Sequence, residues 1–185
     1  EQNPAYIPSS IFFLEKWLKI PYYPIISQLR IIMALFLSTT INKMDSKCRV
    51  SVPSNFRNSL QKQRFKGLIA FPSYKGSNID ACGIDRMERI SDDLDNNNEY
   101  SQEEFDLISL YFGEAEQLPF DKEGRIVVPK KLIEHALIKN EVLFVGLGPT
   151  FQMWNPEKYK KIKELTIKRA SEKKLNPRLK PIPKG

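Results

Sequence analysis

The sequence predicts an α+β fold built from two related halves, and three observations predict it. A nine-residue pattern occurs twice, 76 residues apart. Short apolar strand-like runs and short helix-like runs follow each copy in the same order. Both copies open on an Asp-initiated turn between strand-like runs, the local mark of a hairpin.

The repeated segments are Asp45-Ser46-Lys47-Cys48-Arg49-Val50-Ser51-Val52-Pro53 and Asp121-Lys122-Glu123-Gly124-Arg125-Ile126-Val127-Val128-Pro129. Each reads D-x-x-x-R, then three residues with apolar ends, then Pro. Asp accepts hydrogen bonds from nearby backbone N–H groups and so starts a tight turn. Gly124 suits a residue of positive φ in that turn. Arg49 and Arg125 then open the next strand. Asp45 and Asp121 are expected to pair with these arginines and fix the turn. Arg49 also offers a planar fork that fits phosphate or guanine.

The elements around the motif follow in order. Strands are expected at 36–43 and 115–120, ahead of each turn. Helices follow at 54–61 and 130–138. Strands then come at 67–71 and 142–146, and at 78–82 and 150–154. Closing helices begin at Ile84, running to Ser91, and at Pro156. Asn155 is the expected cap of the latter, with Pro156 in the first helical position. Residues 91–100 are polar and acidic and read as a solvent-exposed connection. Ser101 and Glu104 form a capping box that opens a helix over 102–112. Its Phe105, Ile108 and Phe112 recur at helical spacing and are expected to dock on a core, with Tyr111 widening the face.

Composition narrows the function. The 185 residues are 41% hydrophobic and carry a net charge of +7. That balance suits a folded chain and favours an anionic partner. Its distribution matters more than its total. Residues 155–185 hold 11 Lys/Arg against 3 Asp/Glu, whereas residues 36–154 hold 15 against 17. Recognition by the folded middle must therefore rest on a few placed cations. The basic end reads as a solvated helix fading at Pro177, Pro181 and Pro183, or as a non-specific DNA arm. Two cysteines and one histidine, His135, are too few for a disulfide framework, a structural zinc site or a His-based triad. The sequence contains no G-x-x-x-x-G-K-[ST], G-x-G-x-x-G or H-E-x-x-H motif. No catalytic residue, metal site, cofactor or small-molecule substrate is expected.

Residues 1–35 admit three readings: translation from upstream of a true start at Met33, an amphipathic extension with a helix over 10–20, or a membrane anchor. The uncharged stretch Ile31 to Asn42 reaches only about 60% of the length of a membrane-spanning helix, and no membrane partner is expected.

The paired D-x-x-x-R turns, the Phe112-Gly113-Glu114-Ala115 step and the Phe151-Gln152-Met153-Trp154 strand resemble the MraZ family, over roughly residues 33–165. That family regulates transcription of the bacterial division and cell-wall gene cluster and belongs to the AbrB-like class. The resemblance implies two AbrB-like swapped-hairpin halves forming an internal pseudo-dimer β-barrel with short flanking helices. The chain then divides into an N-terminal extension at 1–32, or upstream translation, halves at 33–92 and 114–160, a linker and helix at 93–113, and a basic tail at 161–185. The resemblance also implies a cytoplasmic, nucleoid-associated repressor that assembles as a homo-oligomeric ring on direct repeats in double-stranded DNA, upstream of its own gene. Motif residues carried over are Asp45, Lys47, Arg49, Asp121 and Arg125. Where the family favours Gly, the first copy has Cys48; a positive φ there would cost roughly 1 kcal/mol or more.

The expected DNA contacts are Arg49, with Lys47 and Lys43 positioning the backbone, and Arg57 and Arg125 beside them. Copy one is expected to be the main reader, because Glu123 lies inside the second turn. The alternative is an AbrB-like antitoxin or protein-interaction module without operator binding. Single-hairpin chains are usual there, so the two copies argue against it.

Overall fold

The computed structural model describes residues 34–96 and 101–174, all within the compact unit Met33–Gly185. The expected helix over 10–20 and the prolines of the tail lie outside the described residues. The fold is α+β. Its strands are β1 (Thr39–Lys43), β2 (Arg49–Ser51), β3 (Gly67–Pro72), β4 (Ile79–Cys82), β5 (Glu116–Pro119), β6 (Arg125–Val127), β7 (Glu141–Gly146) and β8 (Phe151–Trp154). Its helices are α1 (Ser54–Ser59), α2 (Ile84–Asn96), α3 (Gln102–Gly113), α4 (Lys130–Ala136) and α5 (Pro156–Glu172).

Six strands form one antiparallel sheet in the order β1-β7-β8-β4-β3-β5. β2 and β6 form a separate two-stranded ribbon. The expected closed barrel is not formed. β2 and β6 leave the sheet and spend their hydrogen bonds on one another, so among the described residues β1 and β5 are the edges of the sheet. Val52 N–H donates to Gly124 O at 3.1 Å and Val128 N–H donates to Cys48 O at 2.9 Å, extending the ribbon at both ends. Pro119 suits its place on edge strand β5, since it has no N–H to leave unpaired.

The pairing interlaces the two motif copies. β1 pairs with β7, β3 with β5, β4 with β8 and β2 with β6 across the copies, while β3 pairs with β4 and β7 with β8 within them. The core follows the same rule. Phe36 and Phe56 pack on Phe144 and Phe151 with ring centroids 4.8–6.3 Å apart. All four rings are fully buried. Neither copy encloses this aromatic cluster alone.

Several element limits shift from the sequence expectations. Before β1, Phe36 makes only an isolated bridge to Gly148. α1 stops at Ser59 and α4 at Ala136, where Leu137 takes a left-handed conformation. The acidic run after Ser91 is not a loop throughout, because α2 continues to Asn96 with its charged side chains in solvent. The capping box of α3 is formed: Ser101 N–H donates to Glu104 Oε2 at 2.9 Å and Glu104 N–H donates to Ser101 Oγ at 3.2 Å. The apolar face of α3 is the larger correction. Tyr111 docks edge-on against Phe71 at 4.6 Å, but Phe105 is 56% exposed and Phe112 39%. The expected docking face meets the sheet through Tyr111, with Ile108 half-buried and Phe105 and Phe112 in solvent.

The two turns share one geometry, so Cys48 adopts φ +59° where Gly124 adopts +74°. A side chain in this left-handed region costs about 1–2 kcal/mol, partly offset by the smaller backbone entropy lost on folding. Cys48→Gly is therefore expected to stabilise the fold by roughly 0.5–1 kcal/mol in urea denaturation. A destabilised variant would show that the thiol makes a contact worth more than the strain.

Candidate nucleic-acid interface

Each turn is built by its aspartate. Asp45 Oδ1 accepts from the N–H groups of Lys47 and Arg49, both at 2.9 Å. Asp121 Oδ1 accepts from those of Glu123 and Arg125, again at 2.9 Å. The second carboxylate oxygen takes the guanidinium: Arg49 Nε donates to Asp45 Oδ2 at 2.7 Å, and Arg125 Nε to Asp121 Oδ2 at 2.7 Å. These backbone N–H bonds from the arginines, with the guanidinium contacts, hold both carboxyls below the ordinary aspartate range.

A depressed carboxyl favours the folded state above the unfolded value, near pH 4, and that contribution is lost as pH falls through the folded values. The urea midpoint of the wild type is thus expected to drop more steeply on acidification below about pH 4 than that of Asp45→Asn/Asp121→Asn. Parallel pH profiles would show that the turns do not titrate with folding.

The ribbon turns one face inward and one outward. Val50 and Ile126 face each other across it and are buried. The outward residues are Arg49, opposite Val127, and Arg125, opposite Ser51. Both arginines thus share the outer face of a two-stranded ribbon, a shape that fits the major groove of B-DNA.

The copies differ electrostatically. Arg49 is held by one carboxylate, with Nη2 also 2.7 Å from Asp45 Oδ2. Arg125 is held by two, because its Nη1 lies 2.7 Å from a Glu123 carboxylate oxygen. Those partners raise the Arg125 pKa, its bond to Asp121 first. Lys47 stands exposed at the place of Glu123, so the first turn keeps a net positive charge and the second does not.

Arg49, Arg125 and Lys47 are brought together on the ribbon and its turns. Lys43 is not on that face. It lies opposite Glu141 on β1 and borders a hollow with Lys139 and the start of α5. Arg57 is turned inward. Its Nη1 donates to Val52 O at 2.7 Å, and its guanidinium lies against Gly124, where an added Cβ would approach it to 2.7 Å. Arg57 of the first copy therefore props the turn of the second, and Gly124 is favoured both by its φ and by the space that Arg57 takes up. The sequence reading missed Ser51 and Val127, although the period of two along each strand marks them as outward. His135 Nε2 lies 3.0 Å from Ser73 O and 3.1 Å from Gly76 O. Both are acceptors, so this nitrogen carries the proton and ties α4 to the β3–β4 loop.

Among the described residues no group of three or more His, Cys, Asp or Glu side chains is arranged to hold a metal ion. No described helix is long and apolar enough to cross a membrane.

Comparison with known proteins agrees with the family resemblance. A family model described as "MraZ protein, putative antitoxin-like" matches residues 111–180. A protein of Rickettsia rickettsii named transcriptional regulator MraZ is 42% identical over 143 residues, covering 77% of this chain and 96% of its own length. Proteins of the same name from Rickettsia bellii and Rickettsia africae are 43% and 41% identical over the same shares of each chain. Similarity of this degree, over nearly the whole length of the relatives, establishes that the chain belongs to the MraZ family.

Proposed function

We propose that this protein is a sequence-specific DNA-binding transcriptional regulator that represses the division and cell-wall gene cluster, its own gene included. The observation that carries the reading is the ribbon's outer face, with Arg49 and Arg125 on one diagonal across it, supported by the relatives' name, transcriptional regulator. Arg49 is the principal contact, because one carboxylate orients its guanidinium and, among the described residues, no carboxylate engages Nη1. Lys47 binds phosphate beside it, and Lys43, off the ribbon face on β1, reaches the flanking backbone. Arg125 contributes less, since Glu123 and Asp121 compete with the DNA for its fork. Arg57 is a positioning residue that holds the second turn.

The interlaced strands make the two copies an internal pseudo-dimer, in which one chain does the work of two hairpin subunits. Several chains close into a ring, and neighbouring subunits engage neighbouring direct repeats.

A titration of the upstream region of the protein's own gene tests this. Retarded complexes that survive excess unrelated duplex are expected. Equal competition by unrelated duplex would refute sequence-specific regulation and favour the protein-interaction alternative.

A further inference from the structure

The outer face of the ribbon carries Arg49, Ser51, Arg125 and Val127, and Val127 is the apolar residue among them. The arginines do not stand upright on that face. Each bends back toward its own turn, where Asp45 or Asp121 holds the guanidinium at 2.7 Å. Their side chains are 34% and 25% exposed. The space between them is left to Ser51 and Val127, and Val127 is 57% exposed.

A single exposed valine on a strand is ordinary. The neighbour of Val127 sets it apart. Val128 N–H donates to Cys48 O at 2.9 Å and Val52 N–H to Gly124 O at 3.1 Å. Hydrogen-bonded and non-hydrogen-bonded pairs alternate along an antiparallel ladder. Arg49 and Val127, one step in from Cys48 and Val128, are therefore a non-hydrogen-bonded pair. Such residues have Cα atoms about 4.5 Å apart and side chains in contact. That spacing is comparable to one base step of a DNA strand, about 3.4 Å.

In the major groove an arginine fork takes guanine O6 and N7, and an apolar side chain takes the 5-methyl group of thymine. Arg49 and Val127 join these two kinds of contact at the cationic end of the ribbon, beside Lys47. The other end differs. Ser51 holds the place of Val127, 76 residues earlier, and it faces Arg125, which Glu123 already engages.

We propose that Val127 is a specificity-determining residue, packing against the 5-methyl group of a thymine beside the base that Arg49 contacts. This rests on DNA binding by the ribbon face, proposed above, and adds a base that the face selects. Ser51 offers no methyl group, so the two ends of the ribbon read different bases although the two turns share one geometry.

The test compares two forms of one duplex, the region upstream of the protein's own gene amplified with dTTP or with dUTP. Uracil pairs as thymine does and lacks the 5-methyl group. Gel-shift titrations are run with wild type and with Val127→Ser. Serine suits this position, since Ser51 holds the matching place in the same ribbon, and circular dichroism checks folding. Wild type is expected to bind the thymine duplex about 4-fold more tightly for each ribbon engaged, the worth of one buried methyl group. Val127→Ser is expected to bind both duplexes equally. Its salt slope is expected to match that of wild type, because a methyl contact releases no counterion. Val127→Asn provides a second polar variant and is expected to behave as Val127→Ser does. Equal binding of the two duplexes by wild type, or a thymine preference kept by either variant, would overturn the methyl contact and leave DNA binding by the ribbon standing. A shallower salt slope in the variants would show a displaced ribbon and overturn it too. A wild type that binds unrelated duplex as tightly as the upstream region would overturn the sequence-specific reading itself.

Discussion

Replacing Arg49 with alanine is expected to abolish operator binding in a gel-shift titration while the protein stays folded. A well-placed bidentate arginine is worth about 1–3 kcal/mol, so each engaged subunit loses roughly 5- to 150-fold. The loss multiplies when several subunits bind one array. The substitution also leaves the Asp45 carboxylate without its guanidinium, turning a neutral pair into a negative charge beside the phosphates. Folding is spared because the aspartate still accepts the backbone N–H groups of residues 47 and 49. Arg49→Lys separates charge from geometry: it keeps the cation and loses the fork, and its affinity is expected to lie between the other two. Arg125→Ala is expected to cost less, since Glu123 and Asp121 already engage that side chain. Full affinity of Arg49→Ala would remove the ribbon face from the interface.

A tandem array of operator repeats is expected to bind about 10²- to 10⁴-fold more tightly than a single repeat. The expectation follows from charge. Residues 36–154 carry slightly more acid than base, so on the proposed reading each subunit is expected to make few phosphate contacts and bind modestly alone. Linked subunits convert the second contact into an intramolecular one. The array should also show the steeper dependence on salt, because more counterions are released. Equal affinity and equal salt slope for one repeat and for the array would exclude binding through several subunits.

Much of the candidate site was legible because its bonds are local. An aspartate, a residue of positive φ and an arginine within five positions specify the turn. The repeat then predicts a second turn of the same geometry, which the matching 2.7 and 2.9 Å bonds bear out. The Ser101/Glu104 box and the Asn155 cap were legible for the same reason. Arg57 was not. Counting cations along the chain placed it with the DNA contacts, but its guanidinium is taken up by Val52 O and by Gly124, 67 residues away. Phe105 and Phe112 misled in the opposite sense. Helical spacing identifies an apolar stripe, but not whether this chain or another covers it.

The sequence by itself determined the repeat, the two turns, the helix caps and the near-neutral charge of the folded middle. Each depends on contacts within a few residues or on composition alone. Tertiary structure decided which strands meet. β2 pairs with β6 rather than closing a barrel, because Val50 and Ile126 bury each other only when the two copies interlock. It also decided that two arginines share one outer face and that the second is already occupied by acid. Those outcomes turn on residues some 76 positions apart, brought together by burial that neither copy achieves alone.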